Sequence, residues 1–369
     1  MRQLLSRWAV RPLAFAAAMA VGQSGPALGQ ERDPAALPIK VVIVTMFELG
    51  EDQGDRPGEF QTWVERLPLP ERLPFPQGYR DLRINRDKGV LGLVTGIGTA
   101  RSAASIMALG MDPRFDLSRA YWLVAGIAGA DPNDMSIGSA AWAAWVIDGD
   151  LSHEIDPREI PKDWPTGYMP LRHAEPYAQP LPEDDEGVVY RLDPDLVDWA
   201  YQLTREVPLE DSEPLRALRE RYVDHPAAQR PPFVLKGDNL ASMTFWHGRL
   251  LNQWANDWIA YWTEGQGNFV TTAMEDTGTL QSLTFLDQAG RVDRDRVLVL
   301  RTASNYAMQH AGITAAESLS GEKKGDYSAF LPSLEAAWRV GHPVVEELVE
   351  GWPDYAKTLP KPGQSRVSR

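Results

Sequence analysis

Short apolar runs rich in Val and Ile recur along the chain from residue 39, most of them followed by a glycine turn or a helical pattern. The first four are IKVVIVTM (39–46), GVLGLVTG (89–96), RAYWLVAG (119–126) and GSAAWAAWVID (138–148). PPFVLKG (231–237), GNFVTTAM (267–274) and DRVLVLRTAS (295–304) follow later. Runs that are apolar at successive positions predict strands buried on both faces. ARSAASIMALG (100–110) predicts a small-residue helix closed by Gly110, and FWHGRLLNQWANDWIAYW (245–262) a tryptophan-rich amphipathic helix. SLEAAWRVGHPVVEELVEG (333–351) predicts a helical region interrupted near Gly341–Pro343.

Strands alternating with helices predict an α/β fold. We expect a single domain over 38–350, with a twisted, mostly parallel or mixed central sheet flanked by helices. Residues 151–190 are dense in Pro and acidic side chains, which disfavours long helices and central strands. They predict an ordered-coil insertion placed to cover a site. Residues 356–369 predict a disordered tail.

The composition narrows the setting. A chain of 369 residues, 43% hydrophobic, is long enough to bury a large core. The net charge of −14 argues against nucleic acid and anionic membrane as primary partners. Residues 1–29 carry Arg2, Arg7 and Arg11 ahead of PLAFAAAMAVG, with small residues after it, which is the pattern of a signal peptide. Its removal takes the charge to −17, and it predicts a periplasmic or secreted protein. No later stretch reaches eighteen consecutive apolar residues, and the absence of cysteine excludes disulfides and thiol chemistry.

In open α/β sheets the ligand lies beyond the carboxyl ends of the strands. The residues found there are Glu48, the turn TGIGTA (95–100), KGDN with Asp238, AMED (273–276) and RTASN (301–305). TGIGTARSA fits a glycine-rich, anion-binding turn, with Arg101 where a dinucleotide fingerprint needs its third glycine. A tight strand–helix turn explains Gly96 and Gly98 equally well. In AMED, Glu275 suits a vicinal diol and Met274 the apolar face of a sugar, yet Glu275 and Asp276 also read as first-turn helix acids. DGDLSH (148–153) departs from a calcium loop at His153, where glycine is needed, and the six His lack zinc spacing.

In order along the chain, these motifs resemble the nucleoside phosphorylase and nucleosidase superfamily over roughly 38–320. More closely they resemble the purine nucleoside permease family, through VVIVTMFELGEDQGD, VTGIGTARSAASIMALG, YWLVAGIAGADPNDMSIGSAAWAAWVIDGDL, KGDNLASMTFWHG, TTAMEDTG and RTASNYA. The resemblance implies a purine nucleoside (inosine, guanosine or adenosine) bound at the strand ends, no cofactor, and a symmetric homo-oligomer. It implies that Glu275 and Met274 hold the ribose, that Glu48 activates water, and that Thr95, Gly96 and Gly98 line the phosphate or water side. Ser304 and Asn305 stand where the family has a Ser–Asp pair whose acid protonates the departing purine. Asn305 can only donate and accept hydrogen bonds. Because some of the resembling phosphorylases that act on 6-oxopurines carry Asn there, the resemblance implies inosine or guanosine over adenosine. Gly92 stands where phosphorylases carry an arginine, so phosphate as co-substrate is doubtful.

The resulting expectation is an exported nucleoside-binding protein serving uptake, with or without a membrane transport partner. The alternatives are a purine nucleoside hydrolase or phosphorylase, in which Glu48 and Asn305 are catalytic, and a storage protein that keeps the fold alone.

Overall fold

The computed structural model describes residues 36–182, 185–322 and 329–365. The expected signal peptide lies outside the described residues. A mixed sheet of twelve strands forms the centre of the fold. Tyr121–Ala130 is its middle strand, parallel to Val41–Thr45 on one side and to Val297–Tyr306 on the other. Beyond Val41–Thr45 lies Val90–Val94, parallel, followed by Leu82–Asn85 and Glu71–Leu73, both antiparallel. The far end of the middle strand also pairs, antiparallel, with Phe269–Ala273. That strand leads on to Asp238–Ala241, Trp145–Asp148 and Val189–Arg191.

The sequence explains the layering. Every residue of Val41–Thr45 and Val90–Val94 is buried, because helices or loops cover both faces, as β-branched runs without alternation require. Helices Thr99–Gly110 and Asp276–Gln288 lie side by side, joined by the Ser102 and Thr279 hydroxyls at 2.6 Å. This pairing sets the glycine turn at 96–98 against the AMED turn.

Three expectations need correction. The expected break at Gly341–Pro343 does not occur, since Phe330–Glu350 is one helix with Pro343 inside it. Val340, Val344, Val345 and Leu348 are all buried in the core, and that burial outweighs the roughly 3 kcal/mol cost of an interior proline. The 138–148 segment divides into two short strands instead of one, and the 231–237 run gives the short strand Val234–Lys236 with a further strand, Asp238–Ala241, just beyond it. The tail is held as far as Ser365, with the Trp199 indole donating to the Gln364 carbonyl at 2.8 Å, and residues 366–369 lie outside the described residues.

Candidate functional site

A cavity of about 140 Å³ opens at the carboxyl ends of the middle strands. Met46 and Phe47 follow the first strand, Ile127–Gly129 belong to the middle one, and Met274 and Glu275 follow Phe269–Ala273. Ser304 and Asn305 come from the last long strand, where the pairing shifts by one residue between Ala303 and Asn305. A bulge of this kind re-aims side chains, and here it leaves Ser304 and Asn305 both in the cavity wall. The single proton of the Ser304 hydroxyl is shared between the Ala128 carbonyl at 3.2 Å and Asn305 Oδ1 at 2.9 Å. With Oδ1 so engaged, the Asn305 amide nitrogen is the group left to a ligand, apart from a long contact to the Tyr306 carbonyl at 3.3 Å.

Glu275 is 5% exposed and held on three sides. Gly98 N–H donates to its Oε1 at 3.2 Å, while Met274 N–H and Arg301 Nη2 donate to Oε2 at 3.2 and 3.4 Å. Gly98 has φ +95, a conformation that suits glycine, and caps the helix Thr99–Gly110, so the positive end of that helix lies beside the carboxylate. Burial pushes the Glu275 carboxyl up, and the Arg301 guanidinium opposes that push.

Arg301, 1% exposed, is the pivot of the site. Its guanidinium grips Asp276, which also accepts from Asn239 Nδ2 at 2.9 Å. One cation therefore faces Asp276, Glu275 and a third acid, Glu59. A single guanidinium does not neutralise three buried carboxylates, and acids held this close raise one another's proton affinity. The Glu59 carboxyl is pushed up to about 8, first by burial and also by Glu275, against the pull of Arg301. Glu59 Oε2 accepts from Met46 N–H and Oε1 from Ile127 N–H, both at 2.7 Å. Gly126 makes room for this cluster: a Cβ there would lie 1.9 Å from Met46 Cε and 2.6 Å from Glu59 Oε1.

The sequence reading passed over both Glu59 and Arg301. The acid expected at this end of the first strand, Glu48, does not line the cavity. Its carboxylate accepts from the backbone N–H groups of Leu49, Gly58, Phe60 and Gln61, and so ties down the loop that enters the helix Gln61–Arg66. Glu59 N–H in turn donates to the Phe47 carbonyl at 3.1 Å. Residues 48–58 are thus an excursion, and Glu59 follows Phe47 in space. An acid placed after a glycine and just before an apolar helix was the available signal.

Asp238 also lies elsewhere. It accepts from Ala144, Trp145 and Asn268 N–H at the start of its strand, away from the cavity. Thr95, Gly96 and Gly98 do not line the cavity; of that turn only Ile97 does. Gly92 sits inside the sheet, where a Cβ would meet the Phe60 ring at 2.6 Å, so the fold has no room there for a long side chain. Arg101 lies over the Tyr79 ring and Arg56 over the Phe330 ring, and neither lines the cavity. Among the described residues, no group of three or more His, Cys, Asp or Glu could hold a metal, and no helix is long and apolar enough to cross a membrane.

The sequence model described as purine nucleoside permease matches residues 38–360. The chain belongs to this family. It is 30% identical over 317 residues to the purine nucleoside permease of Candida albicans, covering 85% of this chain and 75% of that protein. It is 29% identical over 327 residues to a probable purine nucleoside permease of Schizosaccharomyces pombe, covering 85% of this chain and 90% of that one. Among solved structures, a 5′-methylthioadenosine/S-adenosylhomocysteine nucleosidase from Colwellia psychrerythraea, in complex with adenine, is 15% identical with a TM-score of 0.48. That alignment covers 84% of this chain and 96% of the nucleosidase. In this member of the purine nucleoside permease family, the strand ends that carry Met274, Glu275, Ser304 and Asn305 meet around one cavity of the α/β domain, while Glu48, Thr95, Gly96 and Asp238 do not line it.

Proposed function

We propose that the chain is an exported purine nucleoside-binding protein serving nucleoside uptake. The observation that carries this reading is Glu275, a buried carboxylate at the cavity wall whose orientation is set by Gly98 and Arg301. It suits the two hydroxyls of a ribose, each of which donates to one carboxylate oxygen. Met274 offers an apolar face to the sugar, and the Asn305 amide offers a donor to the acceptor edge of a purine. The 6-oxo group and N7 of inosine and guanosine are both acceptors, whereas the 6-amino group of adenosine is a donor. Export rests on the N-terminal pattern of the sequence, and uptake on the names of the relatives.

A second reading, N-glycosidic hydrolysis, is favoured by Glu59. A carboxyl pushed up to about 8 lies near the working pH, where a general acid or base is most effective. Glu59 replaces Glu48 in that role. No guanidinium lines the cavity free for phosphate, since Arg301 is engaged by Asp276 and Glu275, which supports hydrolysis over phosphorolysis. The test mixes the protein with inosine, guanosine and adenosine, with and without phosphate, and follows both heat of binding and free base. Binding without free base supports the carrier, and base release without phosphate the hydrolase. No binding at all contradicts both.

A further inference from the structure

A second cavity, of about 100 Å³, forms where the insertion meets the tryptophan-rich helix. The hairpin of Ser152–Glu154 and Tyr168–Pro170 supplies one wall, and Trp254 of helix Arg249–Trp262 another. The rest comes from residues that follow Trp145–Asp148 and Asp238–Ala241, two parallel neighbours in the sheet. This is a second crevice outside the carboxyl ends of parallel strands. The nucleoside site uses none of its acids.

Its walls are specific in chemistry. Tyr168 and Trp254 stack at 4.4 Å, and Trp246 meets Trp254 edge-on at 6.0 Å. Asp150 Oδ1 accepts from the Ser242 hydroxyl at 2.7 Å and its Oδ2 from Met243 N–H at 2.5 Å. Glu154 accepts from the Tyr168 hydroxyl at 3.3 Å. That hydroxyl is pushed up to about 12, by burial and by both carboxylates, so it stays protonated. Each carboxylate is aimed by a neutral donor and keeps lone pairs for further donors. The indole N–H groups of Trp246 and Trp254 have no hydrogen-bond partner among the described residues.

No Lys, Arg or His lines the cavity, which excludes an anion. Two acids alone would suit a cation, but the Ser152 and Thr244 hydroxyls in the wall provide donors as well. Hydroxyl groups on a ring match such a mixture, because each donates and accepts, while the C–H faces of the ring pack on aromatic surface. We infer that this cavity, built from Asp150, Glu154, Tyr168, Trp246 and Trp254, binds a neutral carbohydrate ring, as a free pentose or as the sugar of a nucleoside. Thr244 and Trp246 also border a small space beside Phe245 whose other walls include Met274 and Asn305 of the nucleoside cavity, so that space lies between the two sites.

The test is calorimetric titration of the full chain with D-ribose, with inosine and with choline as a cation probe. Glu154→Gln alters an exposed side chain, and Tyr168→Phe keeps the ring stack, so neither threatens folding. Ribose binding that weakens about tenfold in each variant and is unaffected by Glu275→Gln is the expected result. An additional inosine site lost in Glu154→Gln assigns the sugar to a nucleoside, and its absence with ribose binding intact assigns it to the free pentose. The inference is overturned by ribose binding that depends on Glu275 and not on Glu154. It is equally overturned by tighter binding of choline than of ribose, or by no titration sensitive to Glu154→Gln.

Discussion

Arg301 Nη2 lies 2.8 Å from each carboxylate oxygen of Asp276, and both side chains are almost wholly buried. Removing one member of such a pair strands the other charge, at a cost of roughly 3–5 kcal/mol. Here two further acids face the same guanidinium. Arg301→Met should therefore lower the unfolding free energy, read from urea denaturation, by an amount at the upper end of that range, and should also release Glu275. Stability within about 1 kcal/mol of wild type would show that the cluster is not held as described.

The raised Glu59 carboxyl makes the site sensitive to pH. The native carboxyl titrates near 8 and the unfolded one near its ordinary 4.5, so the folded state holds one more proton between these values. The stability it contributes is fully present below the ordinary carboxylate range and is lost as pH rises through about 8. Denaturation measured across that window should show wild type losing more stability with rising pH than Glu59→Gln. Parallel curves would place the proton elsewhere.

How far the site was legible in sequence depended on chain distance. Glu275 was readable because it closes an apolar, β-branched run directly, and Ser304 and Asn305 because they end another. Glu59 was not, because the polar loop 48–58 separates it from the strand end, and hydrogen bonds to Phe47 and Met46 bring it back. Glu48 looked right by position but is used up on backbone N–H groups. Arg301 lay inside a strand, where its charge could be interpreted only once Asp276 was known to face it. The unbroken helix through Pro343 was hidden for a related reason: local propensity predicted a break, and packing against the sheet decided otherwise.

Glu48 provides a contrast with Glu59. Four backbone N–H groups lose their acceptor in Glu48→Ala, so the melting temperature should fall while nucleoside affinity below that temperature stays within about tenfold. Loss of affinity without loss of stability would return Glu48 to the site.

Asn305 should govern the choice of base. Wild type is expected to bind inosine and guanosine more tightly than adenosine, and Asn305→Asp to narrow or reverse that order, as a protonated or charged acid there prefers N7 protonation or a 6-amino donor. Competition calorimetry with the three nucleosides measures this directly. An unchanged order would remove Asn305 from contact with the base.

The most direct test of the account is the affinity of Glu275→Gln for inosine, with a thermal melt to establish that the variant folds. The variant retains the shape of the side chain and removes the charge that two ribose hydroxyls are proposed to share. Hydrogen bonds to a charged group contribute about 1.5–3 kcal/mol each, so binding should weaken by about a hundredfold or more. Affinity equal to wild type in a folded variant would contradict the assignment of this cavity to a nucleoside.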